Sequence, residues 1–438
     1  MKKNVVLIVL VLLVSLDCLA QKQWTLRECA EYALSHNIGI QQKDLTRQQD
    51  EVRLSTAKNS RLPDLTGTIG ETFSFGRGLT MDNTYTNRST NSTQFSIGTS
   101  VPLFTGFRIP NTIKLNQLNL EAAIQDLEKA KNDVEMQVAK AYVQILYDME
   151  IADVAWRQVG IDSMQVARLE AFFNNGKASG AEVSQQKATH AQSILTATQA
   201  DNNLQLAILT LTQLLELPTP EGFSVVRPDV PFQALTLPNP ETIFAEALTF
   251  KPEIRAEQLR LDASEKSIKI QEAARYPQLT LNGGLQTNYY KTSGMQQDGF
   301  GTQLKNNFSQ YIGLNLNIPI FNRFSTRNNI RNARLERENQ LLKLDNAKKT
   351  LYKEIQQVYY NAVAAHAKYE SSEAARQSSA DAFRLAQAKY ENGKANITEF
   401  NEAKNRFLKS ESDLVQARYE YLYQTTLLDF YRGKELAF

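Results

Sequence analysis

The 438-residue chain is poor in the groups that do most protein chemistry, with two cysteines and three histidines. Two cysteines cannot build a disulfide scaffold or a Cys-rich zinc site. His36, His190 and His366 are scattered without metal-ligand or triad spacing and read as solvated helix residues. Gly176-Lys177 and Gly393-Lys394 are followed by alanine and lack the upstream glycine of a phosphate loop. Gly76-Arg77-Gly78 and Gly299-Phe300-Gly301 lack a third glycine, and no Gly-x-Ser-x-Gly occurs. The chain therefore reads as no enzyme, with no catalytic, cofactor or metal site. Its 49 basic and 47 acidic residues leave a net charge of +2, which gives no electrostatic case for nucleic acid.

Proline is also scarce, and unevenly so. Six of the 12 prolines fall between Pro218 and Pro240; none occurs from Asn111 to Leu217, and none follows Pro319. Two proline-free stretches of that length are foreign to an ordinary α/β enzyme. Long apolar runs are missing but for Val5–Leu16, which is too short for a comfortable transmembrane helix. Behind Met1-Lys2-Lys3 it reads as a signal peptide over residues 1–20, with Cys18 and Ala20 as the small residues before the cut. A lipoprotein signal centred on Cys18 is the rival, weakened by Asp17. Cys29, in a helical pattern, reads as a small buried residue.

What is present is a repeat. Arg61-Leu62-Pro63 matches Arg275-Tyr276-Pro277 at an offset of 214 residues, and Val101-Pro102-Leu103-Phe104 matches Ile318-Pro319-Ile320-Phe321 at 217. Asn175-Gly176-Lys177-Ala178 recurs unchanged as Asn392-Gly393-Lys394-Ala395. Two copies, 21–217 and 241–438, flank a Pro-rich linker at 218–240. Each reads as helix, strand, polar loop, strand, very long helix, short turn and long helix.

Period-two alternation predicts strands over Leu65–Phe75, 94–103, Leu279–Tyr289 and Tyr311–Ile320, with polar loops at 76–93 and 290–310 between them. Phe73, Phe75, Tyr289, Tyr290 and Tyr311 gather at one end, and Phe104, Phe107, Phe321 and Phe324 at the other, like the two girdles of a membrane barrel. Four strands cannot close a barrel, and open edges cannot face lipid, so several chains must share one barrel.

Apolar residues then recur at spacings of three and four from about Ile113 to Phe173, and again from Leu341 to Tyr390. A helix of 60 residues is about 90 Å long. Repeats of this length mean coiled-coil packing, and the many Ala and Ser positions allow close approach. Each long helix is expected to stop at Asn-Gly-Lys, with Gly176 or Gly393 in a left-handed cap, before a second helix returns from about Ser179 or Ile397.

The duplication, the paired strands, Trp24-Thr25-Leu26-Arg27-Glu28-Cys29-Ala30 and the tip run Lys389-Tyr390-Glu391-Asn392-Gly393-Lys394-Ala395-Asn396-Ile397-Thr398-Glu399-Phe400 resemble the TolC family of outer-membrane efflux proteins over residues 24–433. The resemblance implies a mainly α chain with membrane β structure. It implies a homotrimer whose four strands per chain form a 12-stranded outer-membrane barrel facing lipid, above a periplasmic helical barrel. It implies as partners a periplasmic adaptor and an inner-membrane pump, docked near Gly176, Lys177, Gly393 and Lys394. Tyr390, Glu399 and Glu402 match the family's tip tyrosine and the two acidic residues ringing the pore entrance; Phe173 and Glu182 hold the corresponding places in the first copy. One departure is Ala395, where the best-known member carries an arginine that helps lock the closed tip.

Glu399 and Glu402 lie three apart at the start of the returning helix and share a face, so threefold symmetry would set six carboxylates around the bore. The competing reading is that such acids merely complement the helix dipole. For the whole chain the leading function is a passive exit duct of an efflux or type I secretion system, gated at its tips. The rival is a periplasmic coiled-coil scaffold, which leaves the alternating strands unexplained.

Overall fold

The computed structural model describes residues 23–79, 83–228 and 237–436, so the expected signal peptide and Cys18 lie outside the described residues. The chain divides into two compact units: Leu45–Gln125 with Arg255–Asp345, and Met1–Asp44 with Asp126–Ile254 and Asn346–Phe438. Each unit takes segments from both sides of the Pro-rich stretch.

The first unit holds an antiparallel sheet of four strands. In chain order, after a two-residue strand β1 (Gln23–Trp24), these are β2 (Thr66–Leu79), β3 (Tyr85–Phe104), β5 (Gln278–Thr292) and β6 (Ser309–Asn317), paired β2-β3-β5-β6. Register puts Ile69 beside Phe95, Ile97 beside Leu285, and Leu281 beside Leu314 on one face. The other face carries Thr68, Ser96, Gln286 and Ser309 in one row. The apolar face is bare: Ile69, Phe75 and Ile312 are 74%, 79% and 80% exposed. Among the described residues no helix is long and apolar enough to cross a membrane.

Two expectations about the strands fail. The polar stretch 76–93 is not a loop, because β2 runs to Leu79 and β3 starts at Tyr85, pairing Gly76 with Arg88 and Phe73 with Asn91. A ladder is held by backbone hydrogen bonds, so a long hairpin partner can keep Thr, Ser and Asn in register without an apolar pattern. At the other end β6 stops at Asn317, short of Ile320; Pro319 has no N–H to donate to a ladder.

The stretch 290–310 is also no plain loop, since it holds helix α7 (Phe300–Asn306). β5 outruns β6, whose last pair is Gln286 with Ser309, and side-chain amides take over the exposed edge. Tyr290 N–H donates to Gln303 Oε1 and Gln303 Nε2 donates back to the Tyr290 carbonyl, both at 3.0 Å. Asn307 Nδ2 donates to the Asn288 carbonyl at 2.8 Å, and Thr292 N–H donates to Gln297 Oε1 at 3.0 Å. Gln303 and its neighbours thus stand in for a missing strand and blunt an edge that would otherwise invite pairing. Phe300 stacks edge-on against Tyr289 and Phe95 beside it.

The chain leaves β3 and β6 by matched corners. Gly106 and Phe107 have φ of +61° and +66°, Arg323 and Phe324 of +55° and +61°. Phe104 meets Phe107, and Phe321 meets Phe324, edge to face. Gly106 is required, because a Cβ there would lie 2.5 Å from the Ala273 carbonyl.

From these corners start the two long helices, α3 (Arg108–Asn174) and α8 (Ser325–Glu391), each 67 residues and so roughly 100 Å. Pro110 sits in the first turn of α3, where a missing N–H costs nothing. Their partners are α4 (Gly180–Leu214) and α9 (Ile397–Tyr431), each of 35 residues. In the second unit, α1 (Leu26–His36) packs with α3 and α4 through Cys29, Val138, Leu146 and Leu211, all fully buried. Thr25 and Glu28 cap α1 reciprocally. Ala152 and Ala155 of α3 pack against Ala197 and Ala200 of α4, the close approach that small residues permit.

The Pro-rich stretch is partly built into this core. Strand β4 (Ser224–Val225) pairs parallel with β1, and the Tyr142 hydroxyl donates to the Val226 carbonyl at 2.7 Å, its phenol pushed up chiefly by burial. Residues 229–236 lie outside the described residues. Pro240 then opens α5 (Pro240–Phe250), capped by Asn239, and α2 (Ile38–Asn59) and α6 (Pro252–Glu272) complete the helices.

Candidate pore gate at the helix tips

The two hairpin tips share one backbone. In the first, Gly176 has φ +69°; Lys177 N–H donates to the Phe172 carbonyl (2.8 Å) and Gly176 N–H to that of Phe173 (2.9 Å). In the second, Gly393 has φ +70°, and Lys394 and Gly393 donate to Lys389 (2.8 Å) and Tyr390 (3.1 Å). This is the Schellman arrangement, and it needs a residue free to enter the left-handed region. Lys177 and Lys394 point to solvent beside these glycines.

The returning helices begin differently. Ser179 Oγ accepts from Glu182 N–H at 3.2 Å, and the Ser179 N–H donates to the Glu182 carboxylate at 2.7 Å. That backbone bond holds the Glu182 carboxyl below its ordinary value. In the second copy Asn396 Oδ1 accepts from Glu399 N–H at 2.8 Å, and the Glu399 carboxylate has no hydrogen bond among the described residues. Glu402 lies one turn on, exposed, with Arg406 at 4.0 Å, a surface pair of little worth. Helix capping therefore accounts for Glu182, while Glu399 and Glu402 remain exposed, on one side of α9.

The structure gathers Tyr390 into a cluster with residues that sequence reasoning passed over. Its ring lies 5.2 Å from that of Phe400 and 5.2 Å from the Arg168 guanidinium, which also lies over Phe172 at 5.3 Å. Arg168 reaches the Glu391 carboxylate at 3.8 Å and its carbonyl at 3.4 Å. Burial pushes the Tyr390 phenol up; Glu182 acts in the same direction, and Arg168 opposes both. An arginine thus ties the tip of α8 from α3, although Ala395 offers none. Phe173 stays apart, half exposed beside Gly180.

Deeper in the hairpins lies a second group that went unread. Lys404 of α9 pairs with Asp162 of α3, and both side chains are fully buried. Gln186 of α4 donates to Asp162 at 3.3 Å and accepts from Asn401 at 3.4 Å. Three helices meet there through polar contacts. The clue was present: Asp162 occupies the apolar slot between Val159 and Val166 in the three-and-four series.

An antiparallel sheet with one bare apolar face, two open edges and paired helical hairpins with acidic tips defines the class of outer-membrane channels. The chain belongs to the outer membrane efflux protein family, whose profile matches residues 30–216 and 243–433. Membership makes it an outer-membrane protein with a large periplasmic portion, and no enzyme. It is 25% identical over 291 residues to the outer membrane efflux protein BepC of Brucella suis, a match covering 65% of this chain and 58% of BepC. It shares the fold of the outer membrane protein VceC of Vibrio cholerae, with a TM-score of 0.78, 18% identity and coverage of 94% of this chain and 97% of that one. The CmeC outer membrane channel of Campylobacter jejuni gives a TM-score of 0.80 at 18% identity, covering 94% and 87%.

Proposed function

We propose that three copies of this chain form a passive exit duct through the outer membrane, gated where the hairpin tips converge. The observation that carries this is the sheet: β2 and β6 leave their outer edges open beside a bare apolar face, and lipid accepts that face but not unpaired edges, so neighbouring copies must close the ring. Twelve strands then make one barrel, its apolar face to lipid and its hydroxyl and amide face to water. The duplicated halves 21–217 and 241–438 each supply two of a copy's four strands, and residues 1–20 serve as the export signal.

The energy for transport comes from a partner. A periplasmic adaptor docks at the tips around Gly176, Lys177, Gly393 and Lys394, and the inner-membrane pump behind it selects the cargo. Tyr390 and Phe173 brace the gate, and Glu399 and Glu402 ring its entrance. Glu182 is assigned to the helix cap and withdrawn from the ring. Cross-linking in native membranes should give a trimer band that survives mild detergent. A stable monomer that a salt wash releases from the membrane would overturn the duct.

A further inference from the structure

The strands carry four charged side chains among the described residues, and register sorts them cleanly. Glu71, Arg77 and Lys291 lie on the face that holds Ile69, Phe95 and Ile97. Each has company suited to a lipid–water boundary: Glu71 accepts from the Thr93 hydroxyl, Arg77 lies 5.8 Å from the Tyr85 ring, and Lys291 is two residues from Tyr289. Arg88 is the exception. It sits opposite Gly76 on the polar face, in line with Thr90, Ser92 and Gln94.

Two contacts confirm that facing. The Arg88 aliphatic stem lies against Gly78, whose Cβ would meet Arg88 Cδ at 3.5 Å, and on the same face Thr90 Oγ1 lies 3.1 Å from Thr292 Oγ1. The Arg88 guanidinium donates to Met295 Sδ at 3.7 Å and has no carboxylate partner among the described residues. The strand residues of this face carry no acidic side chain. The cation therefore stands in a lining of hydroxyl, amide and glycine, near the β2–β3 hairpin end of the sheet.

We propose that Arg88 is the charge-selecting residue of the outer mouth: three guanidinium groups around the lumen form a ring that attracts multivalent anions. This rests on the duct reading, which turns the polar face inward. Rings of arginine favour anions in pores because the field of several like charges adds across a narrow, low-dielectric wall.

The test uses the purified trimer in planar bilayers, with inorganic tripolyphosphate added on the side of the strand hairpins. Wild type and Arg88→Lys should be blocked alike. In Arg88→Gln the blocking concentration should rise about tenfold, the effect of removing most of a ring's attraction for a polyanion. Arg77→Gln, on the opposite face, should leave it unchanged. Equal block of wild type and Arg88→Gln, or an equal shift in Arg77→Gln, overturns the proposal while the duct stands. A wild-type trimer that inserts and conducts nothing overturns both. Arg88→Cys should be labelled by a membrane-impermeant thiol reagent and Ile97→Cys should not; the reverse pattern puts Arg88 towards lipid and also overturns it.

Discussion

The two hairpin tips are duplicates in backbone and differ in chemistry. Both close with a left-handed glycine and the same pair of hydrogen bonds, yet one begins its return with Ser179 and the other with Asn396. Serine forms the reciprocal box and holds the following glutamate to the helix. Asparagine accepts the same N–H, and the Glu399 carboxylate stays out of the cap. Aromatics diverge likewise, with Phe173 half exposed and Tyr390 set against Arg168 and Phe400. A duplicated turn thus keeps its geometry through glycine and is free to vary in what it presents.

The largest effect should come from the pair that joins the two hairpins. Lys404→Met leaves Asp162 buried without its cation, and Asp162→Leu leaves Lys404 buried without its anion; each should cost about 3–5 kcal/mol in denaturant unfolding. Lys404→Met combined with Asp162→Leu should recover most of that loss. Strictly additive losses would mean that the two charges do not act as a pair.

A smaller and symmetric effect is expected at the turns. Gly176→Ala and Gly393→Ala meet no atom within 4 Å, so the cost is conformational alone, about 1–2 kcal/mol at each tip. Unequal costs, read by thermal melting of the single variants, would break the claim that the tip backbones are equivalent.

The smallest effect is one of pH. Because the Glu182 carboxyl is lowered in the folded chain, its contribution is complete above the unfolded value of 4.5 and is lost as pH falls through the folded one. Glu182→Gln should flatten that acid limb in melts taken below pH 4.5. Asn396→Ser should add a reciprocal bond at Glu399 and steepen it.

Much of this was legible in the residues. Alternation over 94–103 and Leu279–Tyr289 marked real strands, and Asn-Gly-Lys marked both helix ends, because burial periodicity and left-handed glycine are local signals. The end of β2 beyond Phe75 and the start of β3 before Gln94 were hidden, since Thr86, Asn87, Ser89 and Asn91 form ladder bonds without an apolar pattern. Helix α7 was missed for the same reason: Gln303 and Asn307 act by hydrogen-bonding a distant edge, which no local period records. Arg168 and Tyr390 lie 222 residues apart, as do many partners that folding alone brings together. Of the acidic tip residues the family resemblance supplied all three, and only geometry separated Glu182 from Glu399.

That separation is what the account of the gate most depends on, and single-channel recording with a divalent cation tests it directly. A ring of carboxylates binds such ions; a carboxylate held in a helix cap does not. The wild-type trimer in a planar bilayer should conduct, select cations and be blocked when the divalent ion is added at the tip side. Glu399→Gln with Glu402→Gln should relieve the block, and Glu182→Gln should not. Relief by Glu182→Gln, with the double variant still blocked like wild type, would contradict the account.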